Sequence, residues 1–252
     1  MRIDLNADVG ESLGPWSMGA DEELIPLVTS VSIACGFHAG DPVGILRTVE
    51  LAARLGLAIG AHPGYPDLVG FGRRDLSMSP AELEASVLYQ VAALAGLARA
   101  AGSELRHVKA HGALYNRAAI DPAVAESVAR ATARVSRDLV LFGPPGSDLL
   151  AAGEAAGLPV AAEGFADRAY EPDGTLRSRR LEGALLAGPA AAASQAVSIV
   201  REGVATATDG SSVALAVDSL CIHGDTPGAP AIARAVRSAF DGAGIDVRPI
   251  GR

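Results

Sequence analysis

Short runs of β-type residues alternate with longer helical patterns along the whole chain, and that rhythm restricts the fold more than any other feature. Candidate strands are Arg2 to Leu5, Val31 to Cys35, Leu57 to Ala61, Leu105 to Ala110, Leu139 to Phe142, Leu158 to Ala162 and the run from Val213 to His223; Val247 to Ile250 reads as a further strand or an edge. Parallel strands need a long crossover, and a helix supplies it, so the alternation predicts β/α units around a parallel sheet. Helix starts are marked by a capping residue followed by proline at Asp41-Pro42, Ser79-Pro80, Asp121-Pro122 and Gly188-Pro189. The cap satisfies an orphan amide while the proline presets the first helical φ. Ser79 with Glu82 makes a capping box, and Gly56, Gly102 and Gly203 mark helix ends. At 252 residues, about half hydrophobic and without a composition break, the chain reads as one α/β-barrel domain, residues 1–252.

In such barrels the catalytic groups come from the C-terminal ends of strands and the loops just after them. Here nearly every strand runs into a polar cluster. Asp4, Asn6, Asp8 and Glu11 follow the first run, His38 and Asp41 the second, and His62, Tyr65 and Asp67 the third. Lys109, His111 and Asn116 follow the fourth, Glu163, Asp167 and Arg168 the sixth, and His223 and Asp225 the seventh. Four of the five histidines occupy such ends. The segment His107 to Asn116 also holds the only lysine, against 20 arginines. Lysine is a compact ammonium with a tunable pKa and arginine a permanently charged fork, so a position that keeps lysine in this chain is using its size or its chemistry.

Each cluster has a plainer reading beside the functional one. Asp4, Asn6 and Asp8 fall on one face of an extended segment and need a ligand, a metal or each other; Asp8 and Glu11 could instead cap a turn. Asp41 is an N-cap, whereas His38, in a glycine-bearing strand-to-helix turn, is either a structural histidine or a site residue. Arg73 and Arg74 could clamp a phosphate or carboxylate, with Arg74 equally readable as solvated. The long segment after Glu163, carrying Arg168, Arg177, Arg179 and Arg180, reads as a lid, with Arg179 singled out. Cys221 and His223 share a strand face, so a zinc-type site drawn from Asp8, His38, His62 and His223 stays open.

Several classes are excluded. A net charge of -8 with few aromatics argues against a nucleic-acid surface. An N-terminus without an h-region, and no apolar run near ~20 residues, argue against a membrane and for the cytoplasm. Cys35 and Cys221 are expected to be thiols. No phosphate loop, nucleophile elbow or dinucleotide fingerprint is present.

Asp4-Leu5-Asn6-Ala7-Asp8, Ala34 to Asp41, Gly60-Ala61-His62-Pro63, Val108-Lys109-Ala110-His111-Gly112, Phe165-Ala166-Asp167-Arg168 and His223-Gly224-Asp225 together resemble the LamB/YcsF family, the 5-oxoprolinase A-component family. The likeness spans nearly the whole chain and departs at Ala110 and Ser178, where the family usually has proline. The resemblance implies a distorted seven-stranded (β/α) barrel of the glycoside hydrolase/deacetylase type. It implies ATP-dependent opening of 5-oxoproline to L-glutamate with partner subunits B and C, the partners handling ATP. An activated lactam then needs a base, cationic donors and an acid. The expectation is that Asp8 with His38 or His62 activates water, Lys109 and Arg73 meet the anionic groups, and His111 delivers the proton. Asp4, Asn6, Asn116, Asp167, Arg168, Arg179, His223 and Asp225 are expected to bind substrate. A stand-alone metal-dependent deacetylase or amidohydrolase and a non-catalytic lactam-binding protein remain as alternatives, as do a bound divalent metal and a homo-oligomer.

Overall fold

The computed structural model describes residues 1–250. In chain order the elements are β1 (Arg2–Val9), α1 (Asp21–Leu24), β2 (Ser30–Ala34), α2 (Pro42–Arg54), β3 (Ala58–His62), α3 (Pro80–Ala100), β4 (Leu105–Lys109), α4 (Gly112–Ala118) and α5 (Pro122–Val135). They continue with β5 (Val140–Gly143), α6 (Asp148–Ala155), β6 (Val160–Phe165), α7 (Pro189–Glu202), β7 (Val204–Thr206), β8 (Ser212–Ala214), β9 (Ser219–His223), α8 (Ala229–Ala243) and β10 (Asp246–Val247). Strands β1 to β6 and β9 pair in parallel in that order, and β9 returns to β1 through the register Asp4↔Ser219 to Asp8↔His223. The result is a closed seven-stranded (β/α) barrel, with β10 added in parallel outside β1. No described helix is long and apolar enough to cross a membrane.

The expected caps form. Asp41 accepts from the amides of Val43 and Gly44, Asp121 from those of Ala123 and Val124, and Ser79 with Glu82 closes both halves of its capping box. Four strands differ from the expectation by more than a residue: β6 starts at Val160 and runs on to Phe165, so that Glu163 lies within it, β10 covers only Asp246–Val247, and the other two are β1 and the run before His223. β1 runs on to Val9, because Asn6 and Asp8 face the interior as strand residues and do not belong to a loop. The run from Val213 to His223 is two elements: Val213 belongs to the antiparallel β7–β8 hairpin, and only Ser219–His223 joins the barrel. Asp218 separates them, its amide donating to the Ala162 carbonyl and its carboxylate accepting from the Ala162 amide.

The barrel is apolar outside and largely polar inside, with one apolar patch in the interior where Val140, Phe142 and Ala161 cluster and Phe142 stacks on His107. Leu5, Ala7, Val31, Ile33, Ile59, Val108, Leu141, Leu220 and Ile222 are buried in the main apolar cluster with helix residues such as Val49, Val87, Val128 and Val236. The alternate positions, Asp4, Asn6, Asp8, Ser30, Ser32, His107, Lys109, Glu163 and Ser219, are equally buried but contact one another across the interior. Gly60 shows how tight this interior is: a Cβ there would lie 2.0 Å from His107 Nε2, so only glycine lets the imidazole cross to Ser32.

Candidate active site

Period-two alternation along β1 sends Asp4, Asn6 and Asp8 inward as three successive layers. In the lowest, Asp4 accepts from the hydroxyls of Thr29, Ser30 and Ser219, at 2.9, 2.5 and 2.5 Å. Burial outweighs those bonds and raises its pKa to about 6. In the middle layer Asn6 donates to Glu163 Oε1 at 2.9 Å and to Ser219 Oγ at 2.8 Å.

Lys109, at the end of β4, holds the upper layer. Its Nζ lies 2.8 Å from Asp8 Oδ1, 2.8 Å from Glu163 Oε1, 3.0 Å from Cys221 Sγ and 3.3 Å from Asn6 Oδ1. Burial opposes the charge, yet Asp8, Cys221 and Glu163 keep the ammonium well above its ordinary pKa. Burial would likewise raise Asp8, but His62 and Lys109 hold its carboxyl well below the usual carboxylate range. Next to them the Tyr115 hydroxyl and Glu163 Oε2 are buried without a hydrogen-bond partner. Burial and then the Glu163 charge push that phenol up.

On the other side of Asp8 sits a corner of imidazoles. His62 Nδ1 donates to the Lys109 carbonyl at 2.8 Å, and its Nε2 lies 3.4 Å from Asp8 Oδ2. His111 Nε2 donates to the Phe71 carbonyl at 2.8 Å, and its Nδ1 faces His62 Nε2 at 3.0 Å. Phe71 is the one non-glycine residue with positive φ, +54°, among the described residues, a strained conformation of the kind found where a site demands it. Glu11 Oε1 lies 3.4 Å from His111 Nδ1 and 3.2 Å from His38 Nε2. Burial, then the nearby Asp8 and Asp225, raise Glu11 well above the usual range. Burial and the adjoining imidazoles or arginine lower His38 and His111. Donor atoms of Glu11, His38, His62 and His111 all fall within 4.8 Å of one another, and those of Asp8, Cys221 and His223 form a second such group.

Above these groups opens a cavity of about 630 Å³, with Asp8, His62, Lys109, His111 and His223 on its floor and the rim formed by arginines. Arg73 from the β3–α3 loop and Arg179 from the β6–α7 segment both pair with Asp225 from the loop after β9. Arg179 Nη2 is buried and makes no hydrogen bond.

The structure brings Asp8, His62, Lys109, His111, Asn116, Arg73, Arg168, Arg179 and His223 to one cavity. It places four other candidates behind the wall. Asp4 and Asn6 lie in the layers below, His38 stands behind His111, and Asp167 accepts from Thr226 and pairs with His223. Arg168 reaches the cavity with its charge already directed to the carbonyls of Ala184 and Arg177. Glu11, Glu163 and Tyr115 complete the site although none was singled out as a functional residue. Glu11 and Glu163 stood beside strand ends, and that position was their only signal.

Comparison with known proteins extends these observations. The model of the LamB/YcsF family matches residues 3–252. A protein from Chloroflexus aggregans that bears the name of the 5-oxoprolinase A component is 58% identical over 98% of this chain and 98% of its own length. One of the same name from Methylococcus capsulatus is 55% identical over 99% of this chain and 96% of its own. The crystal structure of a lactam utilization protein from Thermus thermophilus superposes with a TM-score of 0.93 at 47% identity, covering 99% of this chain and all (100%) of that one.

Proposed function

The chain belongs to the LamB/YcsF family, and from that premise we propose that it is the A component of a 5-oxoprolinase, a hydrolase that opens the lactam ring of 5-oxoproline to L-glutamate. In this reading partner subunits B and C, in the cytoplasm, use ATP to phosphorylate the lactam, and this chain carries out the hydrolytic opening. The observation that carries the reading is Lys109, buried between two carboxylates on the floor of an arginine-rimmed cavity sized for a small anion.

A lactam carbonyl is a weak electrophile, and phosphorylation of its oxygen makes the ring carbon open to water. Asp8, ionised and pointing at the cavity, takes the proton from water as the oxygen adds to that carbon. Lys109, Arg73 and Arg179 meet the phosphoryl and carboxylate charges. When the ring C–N bond breaks, the nitrogen must leave as an amine. His111 holds its Nε2 proton on the Phe71 carbonyl, so the proton returns from Asp8, and the ring-opened product is the acyl phosphate. A second water, giving its proton to Asp8, then adds to that acyl carbon, the C–O bond to phosphate breaks, and inorganic phosphate and L-glutamate leave. Asn116 supplies a neutral contact to the ring.

The test is glutamate formation from 5-oxoproline and ATP with partner subunits supplied, with and without this chain. Wild type restores turnover, and Lys109→Met abolishes it while the chain stays folded; full activity of that variant removes Lys109 from the mechanism. The cluster of imidazole and carboxylate donors favours a second reading, a stand-alone amidohydrolase. Turnover without ATP or partners would select it.

A further inference from the structure

The two imidazoles nearest the cavity have their protons fixed by backbone carbonyls. A carbonyl oxygen only accepts, so His62 carries its hydrogen on Nδ1, toward Lys109 O at 2.8 Å, and His111 on Nε2, toward Phe71 O at 2.8 Å. The remaining nitrogens, His62 Nε2 and His111 Nδ1, therefore present lone pairs to each other at 3.0 Å. Two lone pairs facing each other at that distance repel. Something positive between them removes the conflict, and Glu11 Oε1, 3.4 Å from His111 Nδ1, supplies a third donor to the same point.

We infer that His62 Nε2, His111 Nδ1 and Glu11 bind one divalent transition-metal cation of the zinc class, with the fourth position open to the cavity. Metal–nitrogen bonds of ~2.0–2.1 Å in a tetrahedral shell place neighbouring donors about 3.3 Å apart. The observed 3.0 and 3.4 Å bracket that spacing. Two histidines and one glutamate with an open site is also a ligand set that catalytic zinc uses. Donation of the second ring nitrogen to a carbonyl is the outer-shell arrangement that orients such histidines.

His38 lies within the same 4.8 Å group but is not a ligand. Its ring stacks on His111 with centroids 3.7 Å apart and planes 5° from parallel. Imidazole lone pairs lie in the ring plane, so a cation in the plane of His111 sits out of the plane of His38. His38 Nε2 instead donates to Glu11 Oε1 at 3.2 Å, making it the positioning residue for the carboxylate ligand. Asp8 Oδ2, 3.4 Å from His62 Nε2, stands beside the open position.

The experiment titrates Co²⁺ into the full, chelator-stripped chain, reading visible d–d absorption and metal content, with Zn²⁺ as competitor. Expected is one saturable Co²⁺ per chain with the bands of a four- or five-coordinate ion, displaced by Zn²⁺. His38→Leu should weaken it about 10–100-fold, and Glu11→Gln more, with both variants' far-ultraviolet circular dichroism unchanged. Absence of saturable binding by wild type at about millimolar Co²⁺, the affinity floor for a specific site, overturns the inference. So does binding that Glu11→Gln leaves intact, or a single shared proton between His62 and His111 in the nitrogen NMR spectrum of protein that takes up no metal. No substrate, nucleotide or partner enters this assay, so its failure leaves the ring-opening reading standing.

Discussion

Lys109→Met removes the ammonium but keeps the unbranched apolar stem. Two carboxylates, Asp8 and Glu163, each 2.8 Å from Nζ, then face the same buried space without a cation. Deleting one partner of a buried ion pair costs about 3–5 kcal/mol. Here one acid can take up a proton, which puts the cost near the lower end, about 3 kcal/mol. At about 2–4 °C per kcal/mol for a chain of this size, Tm falls by roughly 6–12 °C at neutral pH. The sign with pH follows from the same charges. Without Lys109 the folded-state pKa of the shared carboxylates rises, so stability is regained below their unfolded values and lost as pH rises through the folded ones. Lys109→Arg keeps the charge but forces a larger planar group among four atoms within 3.3 Å. Overpacking of this kind costs about 1–3 kcal/mol, and that cost should not vary with pH. Calorimetric melts of the three proteins at mildly acidic and neutral pH check both statements. A Met variant that melts with wild type, or whose deficit is the same at both pH values, would refute the ion-pair account and leave Lys109 as a packing residue.

Three further outcomes are expected. Asp4, raised from 3.8 to about 6 by burial, contributes stability that is full below its unfolded value and lost as pH rises through about 6. At ~1.36 kcal/mol per unit, a difference of about 2 units makes this ~3 kcal/mol; Asp4→Asn should therefore gain that much relative to wild type between about pH 4 and 7, and a pH-independent difference in denaturant unfolding would exclude it. Gly60→Ala drives a Cβ to 2.0 Å from His107 Nε2, so the ring must leave Ser32, at about 3 kcal/mol. The double variant with His107→Ala should lose less than the sum of the singles, and strict additivity would show that the two do not meet. Asp225→Asn releases Arg73 and Arg179 from their shared partner, weakening the tie between the β6–α7 segment and the rim by about 1 kcal/mol. Hydrogen exchange over residues 171–188 should then quicken about five-fold, and unchanged protection would mean that the segment is held elsewhere.

Period and punctuation carried the fold. Alternating apolar residues in Val31 to Cys35 or Leu57 to Ala61 can only pack one face outward against helices, and Asp-Pro or Ser-Pro pairs place the helix starts in sequence alone. Histidine position carried most of the site, since His62 and His223 end their strands and His111 lies just past the end of β4, at mouths that converge. What a linear reading could not reach is depth. Asp4, Asn6 and Asp8 look equivalent along β1, yet each sits about 7 Å from the next along the strand, two residues of rise apart. Only the topmost of the three meets the cavity. His38 and His111 belong to motifs of the same appearance, and only their 3.7 Å stacking shows that one shields the other. Glu11 and Glu163 were legible as polar strand-end residues, but their importance comes from partners 27 to 157 positions away.

The polar layers also tie assembly of the site to closure of the barrel. Thr29 and Ser30 donate to Asp4 from one neighbouring strand region, and Ser219 donates to Asp4 from the other. Ser219 accepts from Asn6, Asn6 donates to Glu163, and Glu163 receives Lys109, which holds Asp8. β9 is the last barrel strand in sequence and pairs with β1, the first, so this chain of bonds exists only when the final seam is made. Before that seam closes, Asp4, Asn6 and Glu163 have water; afterwards each has only its buried protein partners, and an unmet buried group costs about 1–3 kcal/mol. Partial barrels are therefore penalised by the same residues that hold Lys109 and Asp8 in place. Ser219→Ala removes the one hydroxyl shared by Asp4 and Asn6 without touching the cavity. It should destabilise the whole chain in a single cooperative transition and lower turnover by misplacing Lys109. A variant that loses turnover while its melting temperature is unchanged would mean that the site and the seam are independent.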